Sequence, residues 1–445
     1  VIGILFVATL GATPIGLDEV RTQSRESNSA AVLAGLTHAN TEAQQRLSRS
    51  VIYPQLYLSS SANFYDQGPQ TLHTTVPVLN PDFSVTYQQE NITIPSSNYG
   101  LFDTSLNIQQ LIYDGGKWWT AIAQAGDQER AALGQLEEQR NTSEYEGVRR
   151  FYELVRAEKS AEVLQATAKR SAEQLERARA MFEAGHALKG DVFSAEVTLG
   201  NDRISVVRQY GAVTSAQADL AVWLAHPGME ELTARDPGTL DAAPAGAPEA
   251  SSSLEIARQR RPLLQALSDQ VRAAELGILI ARSAYLPRLS ATAALGRTGP
   301  SADPVYTDPT KQNYLSLGLL LHWDLFSGFA TDAQVEQARI AKSQADVNLA
   351  QAARELEGDV RRVIGNLNLS VDVWKLSVAN REAAQHGLSL AEARYSAGAG
   401  SQLEIQDAQL KLTQSDLNVV SSRIDIEIAR ANVSRVLGRP PGATP

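Results

Sequence analysis

Along most of the chain apolar residues recur with a helical period, and in four short stretches they alternate instead. In the second half, Leu349, Ala353, Leu356, Val360, Val363, Leu367, Val371 and Trp374 follow one another mostly at spacings of four and three, the seam of a coiled coil. This pattern predicts one very long helix over about 330–395 and a counterpart over about 118–181, neither interrupted by proline. At ~1.5 Å per residue each would reach about 100 Å, more than a single globular core can use. Shorter helices are predicted over about 17–52 and 190–224, and over about 254–285 and 402–437. Each pair sums to roughly 70 residues, so two short helices placed end to end could run antiparallel beside one long helix.

The alternating stretches have the period of strands. In 55–65, Leu56, Leu58, Ala62 and Phe64 oppose Tyr57, Ser59, Ser61 and Asn63. In 102–112, Phe102, Leu106, Ile108 and Ile112 oppose Asp103, Ser105, Asn107 and Gln109. In 288–296, Leu289, Ala291, Ala293 and Leu295 oppose Arg288, Ser290 and Thr292. In 314–325, alternate leucines from Leu315 to Leu321, then Trp323 and Leu325, oppose Tyr314, Ser316, His322 and Asp324. Each run is near the ~10 residues a tilted strand needs to cross a bilayer, with one face for lipid and one for water. Strands of a soluble sandwich alternate too, so the weight lies in four such runs, each joined to a long helix. Four strands cannot close a barrel, and an open edge in lipid leaves backbone groups unpaired. Two copies would supply eight strands and three would supply twelve. An eight-strand interior is filled by side chains, so a conduit favours three.

The chain is a duplication. Phe182-Glu183-Ala184-Gly185 followed by Asp191-Val192 returns 213 positions on as Tyr395-Ser396-Ala397-Gly398 followed by Glu404-Ile405. Trp223-Leu224 returns as Val436-Leu437, and Asp114-Gly115 as Ser327-Gly328, at the same offset. Upstream, Tyr53-Pro54-Gln55-Leu56 matches Leu286-Pro287-Arg288-Leu289 at an offset of 233. The extra 20 residues of the first repeat lie between Leu56 and Asp114, where Gly68-Pro69, Pro77, Asn80-Pro81 and Pro95 predict a long loop. The first repeat therefore spans 13–226 and the second 254–437. Between them 227–253, rich in Ala, Pro, Gly and Ser, reads as a connector, and 438–445 as a tail. Residues 1–12 are apolar but too short to span a bilayer, and read as the remnant of a secretory signal.

Composition removes several classes. There is no cysteine, hence no disulfide, thiolate metal site or cysteine nucleophile. A net charge of −10 argues against nucleic acid. Gly115-Gly116-Lys117 lacks the spacing of a phosphate loop and is followed by Trp118. None of the six histidines is set at metal-ligand spacing, and no nucleophile elbow is present. No enzyme, cofactor or metal is expected.

The duplicated Phe/Tyr-x-Ala-Gly turn, the Tyr/Leu-Pro-x-Leu approach to each strand pair, and Trp323-Asp324-Leu325-Phe326-Ser327-Gly328 give the chain its resemblance to the outer-membrane efflux proteins, the TolC-like outer-membrane factors. The resemblance runs from about Leu17 to Leu437. It implies a membrane β-barrel joined to a duplicated α-helical hairpin coiled coil, four strands per chain. It further implies a homotrimer closing a 12-strand barrel and helical tunnel in the outer membrane of a Gram-negative bacterium. Its partners would be the lipid bilayer, a periplasmic adaptor and an inner-membrane pump. The implied activity is passive export of small solutes or drugs, with type I protein secretion as an alternative; a non-transporting coiled-coil scaffold is the reading of another class. In similar proteins acidic residues past the second tip turn narrow the periplasmic aperture, and the matching positions here are Glu404 and Asp407. The tip turns, with Gly185, Asp191, Tyr395, Gly398 and Gly400, would be where an adaptor docks.

Overall fold

The computed structural model describes residues 13–226, 232–235, 238, 240, 244, 246–307 and 313–438. The expected signal remnant at 1–12 and nearly all of the tail lie outside these, as do parts of the connector. The first repeat contains β1 (Thr13–Ile15), α1 (Leu17–Glu26), α2 (Ser29–Arg49), β2 (Gln55–Gln67), β3 (Gln70–Leu79), β4 (Val85–Ile94), β5 (Ser97–Asp114), α3 (Lys117–Glu183) and α4 (Lys189–Trp223). After β6 (Leu232–Ala234) come α5 (Ala250–Arg260), α6 (Pro262–Arg282), β7 (Arg288–Gly299), α7 (Ala302–Tyr306), β8 (Asn313–His322), α8 (Ala330–Ser396) and α9 (Gln402–Val436). The long helices α3 and α8 both have 67 residues, and α4 and α9 both have 35, with starts and ends 213 apart. The fold divides into a helical unit drawn from 1–42, 127–272 and 343–445 and a strand-bearing unit drawn from 43–126 and 273–342.

Within the helical unit each repeat has its own core. Val148, Phe151, Leu154 and Val155 of α3 pack with Val20, Leu220 and Leu224. Leu356, Val360, Val363, Leu367 and Val371 of α8, the seam read from the sequence, pack with Ala257, Val433 and Val436. Helix α9 serves both: Ile424 joins the first cluster and Ile426 the second. Burying each such side chain is worth about 1.5–3 kcal/mol, which supplies the stability that helix propensity alone would not. Ion pairing is duplicated too. Arg25 reaches Glu144 at 3.0 Å in the first repeat, and Arg258 pairs with Glu357 at the equivalent place in the second.

Sequence periodicity predicts a single helix over 17–52 and another over 254–285. Each is instead broken in two, at Ser27–Asn28 and at Arg261. In the second repeat the cause is Pro262, which drives the preceding residue out of the helical region: Arg261 has φ −67° and ψ 118°. Its guanidinium then bridges Glu138 at 3.2 Å and Asp359 at 3.6 Å. In the first repeat Asn28 makes the break without proline. Its side-chain oxygen accepts from the Ala30 N–H at 3.0 Å, as a capping residue does, and its amide donates to the Trp223 carbonyl at 3.0 Å.

The strand-bearing unit holds a four-stranded antiparallel sheet in the order β2-β5-β7-β8. The predicted long loop after Leu56 is in fact an extension of its first hairpin. The β2–β5 ladder runs to Gln67↔Ser97, and β3–β4 resumes the same register from Gln70↔Ile94 to Leu79↔Val85. Pro77 is tolerated because a two-stranded ribbon leaves each strand one unpaired edge. The sequence run to 325 also overshoots: β8 ends at His322, and the Trp323 indole donates to the Tyr285 carbonyl at 3.0 Å. Two short elements fall inside the expected connector: β6, which pairs in parallel with β1, and the first turn of α5.

Candidate functional site

The sheet carries two chemically opposite faces. Across the four strands, Leu58, Leu106, Leu295 and Leu315 stand in one cross-strand row, and Leu56, Ile108, Ala293 and Leu317 in the next. Much of this band is left open by the described residues: Leu58, Leu315, Leu317 and the neighbouring Leu319 are each about 70 % exposed. A band of this size on a lone chain marks a surface that meets lipid or another protein. The opposite face is polar. Its rows join Tyr57, Asn107 and Ser316, and Ser59, Ser105 and Tyr314. The Ser59 and Ser105 hydroxyls are 2.9 Å apart, and the Asn107 amide donates to both, at 3.0 and 3.1 Å. The parity holds from β2 to β8, apart from one bulge between Leu111 and Tyr113.

Both ends of the apolar band carry aromatic rings, as at the two borders of a membrane-spanning sheet. Phe64, Phe102 and Tyr306 meet edge to face at one end, with Tyr65 and Tyr99 stacked behind them on the polar face. Tyr113, Trp118 and Trp119 cluster at the other. Strand β2 is bonded only to β5 and β8 only to β7, so among the described residues each keeps one unpaired edge. In hydrocarbon those backbone groups would each cost several kcal/mol.

The second cluster of candidate residues lies at the turns α3–α4 and α8–α9. Helix α3 ends with Gly185 at φ 77° and α8 with Gly398 at φ 73°, the left-handed region a side chain would resist. The hydrogen bonds are the same at both: Gly185 N–H to Phe182 O and His186 N–H to Met181 O, then Gly398 N–H to Tyr395 O and Ala399 N–H to Arg394 O. Gly400 lies against the backbone, with the Tyr395 nitrogen 3.0 Å from where a Cβ would be. The Asp191 carboxylate accepts from the Leu188 N–H at 3.1 Å and so closes the first turn of α4. In the second repeat the capping is done from the other side: Ser401 Oγ accepts from the Glu404 N–H at 3.3 Å. Burial, with the nearby charge of Asp191 adding to it, holds the Tyr395 phenol above its ordinary pKa.

Glu404 and Asp407 stand three residues apart on α9, both side chains about half exposed. Each has a cation beside it that sequence reading missed. Arg394, at the end of α8, reaches Glu404 at 3.9 Å, and Lys411 reaches Asp407 at 2.6 Å. Lys411 was legible, since acid and base four apart on a helix face one another. Arg394 was not, because its approach depends on the turn. Exposed pairs of this kind are worth ~1 kcal/mol or less, so they offset the two negative charges without locking them.

Among the described residues no group of His, Cys, Asp or Glu is arranged to hold a metal ion, and no helix is long and apolar enough to cross a membrane. Comparison with known proteins agrees with the two-faced sheet and the duplicated helices. The sequence profile of the outer membrane efflux proteins matches residues 22–226 and 253–439. The outer membrane protein TolC of Vibrio cholerae is 22% identical over 346 residues, 76% of this chain and 77% of the relative. TolC of Escherichia coli is 24% identical over 388 residues, 82% of this chain and 74% of that one. Among solved structures, a membrane protein of Pseudomonas aeruginosa superposes with a TM-score of 0.78 at 18% identity, covering 95% of this chain and 92% of its own. The Campylobacter jejuni CmeC outer membrane channel gives 0.75 at 16%, covering 95% and 85%. The chain thus belongs to the outer membrane efflux protein family, as a TolC-like protein of the Gram-negative outer membrane.

Proposed function

We propose that the chain is one of three identical subunits of a passive exit duct, in which twelve strands close a barrel and the helices of the three copies form a tunnel in the periplasm. The observation that carries this reading is a sheet that, among the described residues, has two unbonded edges and an exposed apolar band. Such a sheet is satisfied in lipid only when sister copies bond to β2 and β8. Its polar face then becomes the lining of a water-filled lumen. The protein would carry out no reaction of its own. A periplasmic adaptor would dock at the tip turns, around Gly185, Asp191, Tyr395, Gly398 and Gly400, and join the duct to an inner-membrane pump that supplies small solutes and the energy to move them.

Glu404 and Asp407 are assigned to the periplasmic aperture. Three copies would bring up to six carboxylates to one axis, which favours cations, with Arg394 and Lys411 moderating the field. Single-channel recording of purified protein in planar bilayers tests both parts. Discrete conductance steps with cation preference are expected, and Glu404→Gln with Asp407→Asn should lower that preference. Absence of any pore would refute the duct, and an unchanged preference in the double variant would refute the aperture assignment.

A further inference from the structure

The register places ionisable groups other than tyrosine at the two ends of the polar sheet face, and the ends differ. Near the helices Arg288 stands between Asp114 and His322 across strands, so the acid there faces a cation. At the far end stands Asp103, between Ser61 of β2 and Thr298 of β7. Its carboxylate accepts from the Tyr314 hydroxyl at 3.3 Å and from the Ser105 hydroxyl at 3.4 Å. It forms no ion pair among the described residues. The nearest strand cation, Arg297, pairs across to Thr104 and so belongs to the opposite face. There it donates to the Asn313 side chain at 3.0 Å and to the Val305 carbonyl at 3.4 Å. Among the described residues Asp103 thus has no cation beside it, and the Tyr314 hydroxyl holds it on the polar side.

We propose that Asp103 is a second charge-selecting position of the duct, a ring of three carboxylates near the outer mouth that raises the local concentration of cations at the exit. The inference rests on closure of the barrel by three copies. Its reach follows from screening: the Debye length is ~10 Å at 0.1 M salt and ~3 Å at 1 M. A ring on the wall therefore acts across a wide lumen only in dilute salt. Charge at one end of a pore also makes conduction asymmetric, so this ring and the aperture acids should bias rectification in opposite senses.

Reversal potentials and current–voltage curves of reconstituted channels, in a tenfold salt gradient centred on 0.1 M, provide the test. Asp103→Asn is expected to reduce the cation-to-anion permeability ratio about twofold and to shift rectification toward the sense set by Glu404 and Asp407. Both effects should vanish near 1 M. Tyr314→Phe, which keeps the charge, should leave the ratio unchanged. Should Asp103→Asn fail to assemble, Ser61→Lys puts a cation directly across from Asp103 and should give the same loss. Open channels whose selectivity and rectification are unaltered by Asp103→Asn or by Ser61→Lys would overturn the proposal. Failure of the wild-type chain to form pores would instead count against the duct.

Discussion

At the scale of single residues, the duplication allows one repeat to serve as a control for the other. Helix α4 ends with Ala225 at φ 52°, while its counterpart after α9 is Gly438 at φ 65°. Both close the helix with the same backbone bond three residues back. The left-handed region costs a side-chain-bearing residue about 1–2 kcal/mol, so Ala225 carries strain that Gly438 avoids. Ala225→Gly is expected to stabilise the protein by about 1 kcal/mol in denaturant titration in detergent. Gly438→Ala should destabilise it by more, because its Cβ would lie 2.9 Å from the Arg260 carbonyl. A second residue-level expectation concerns pH. Burial raises the pKa of Glu144 above that of an ordinary glutamate, with Arg25 pulling it back. A raised carboxyl contributes stability that is full below the usual glutamate range and is lost as pH rises through the folded value. Glu144→Gln removes that loss while keeping an acceptor for Arg25. The stability difference should therefore move in favour of the variant as pH rises from about 4 to 7. A difference moving the other way would mean that the ion pair outweighs burial.

At the scale of elements, what could be read from the sequence was whatever had a long period. The seam from Leu356 to Val371 and the strand alternations at Leu56, Leu106, Leu289 and Leu315 all lie where the pattern put them. Helices α3 and α8 are within one or two residues of the predicted bounds at either end. Features set by one or two residues were less visible. The break before Pro262 has a local signal that the helical period outweighed. The break at Asn28 has almost none, because Asn28 acts through a distant partner, the Trp223 carbonyl. The β3–β4 ribbon was hidden by its prolines and by mixed faces, where Thr74 opposes Glu90 and Val76 opposes Gln88. Its pairing is inherited from the register of β2 and β5 rather than encoded in its own alternation. At the helix turns, glycine positions were legible from spacing, and so was Lys411 beside Asp407, whereas the approach of Arg394 to Glu404 needed the turn to be built.

At the scale of the whole molecule, the chain behaves as an unfinished object. Its helical unit has buried cores of its own, while among the described residues its sheet has an apolar face covered only at one end, by α7, and two edges with nothing bonded to them. Lipid can cover the face, but only backbone can satisfy the edges. The alternation of up and down strands means that β8 of one copy would meet β2 of the next in antiparallel fashion, the same relation that joins every neighbouring pair within the chain. Closure therefore needs no new kind of contact, only repetition. The absence of native cysteine makes the point open to direct measurement. Ser59→Cys on β2 can be combined in turn with Ser316→Cys, Gly318→Cys and Leu320→Cys on β8, all on the polar face, and oxidised in outer membranes. One of the three pairs is expected to give a covalent ladder that stops at three chains. No cross-link in any pair, or a ladder that continues past three, would contradict a barrel closed by three copies.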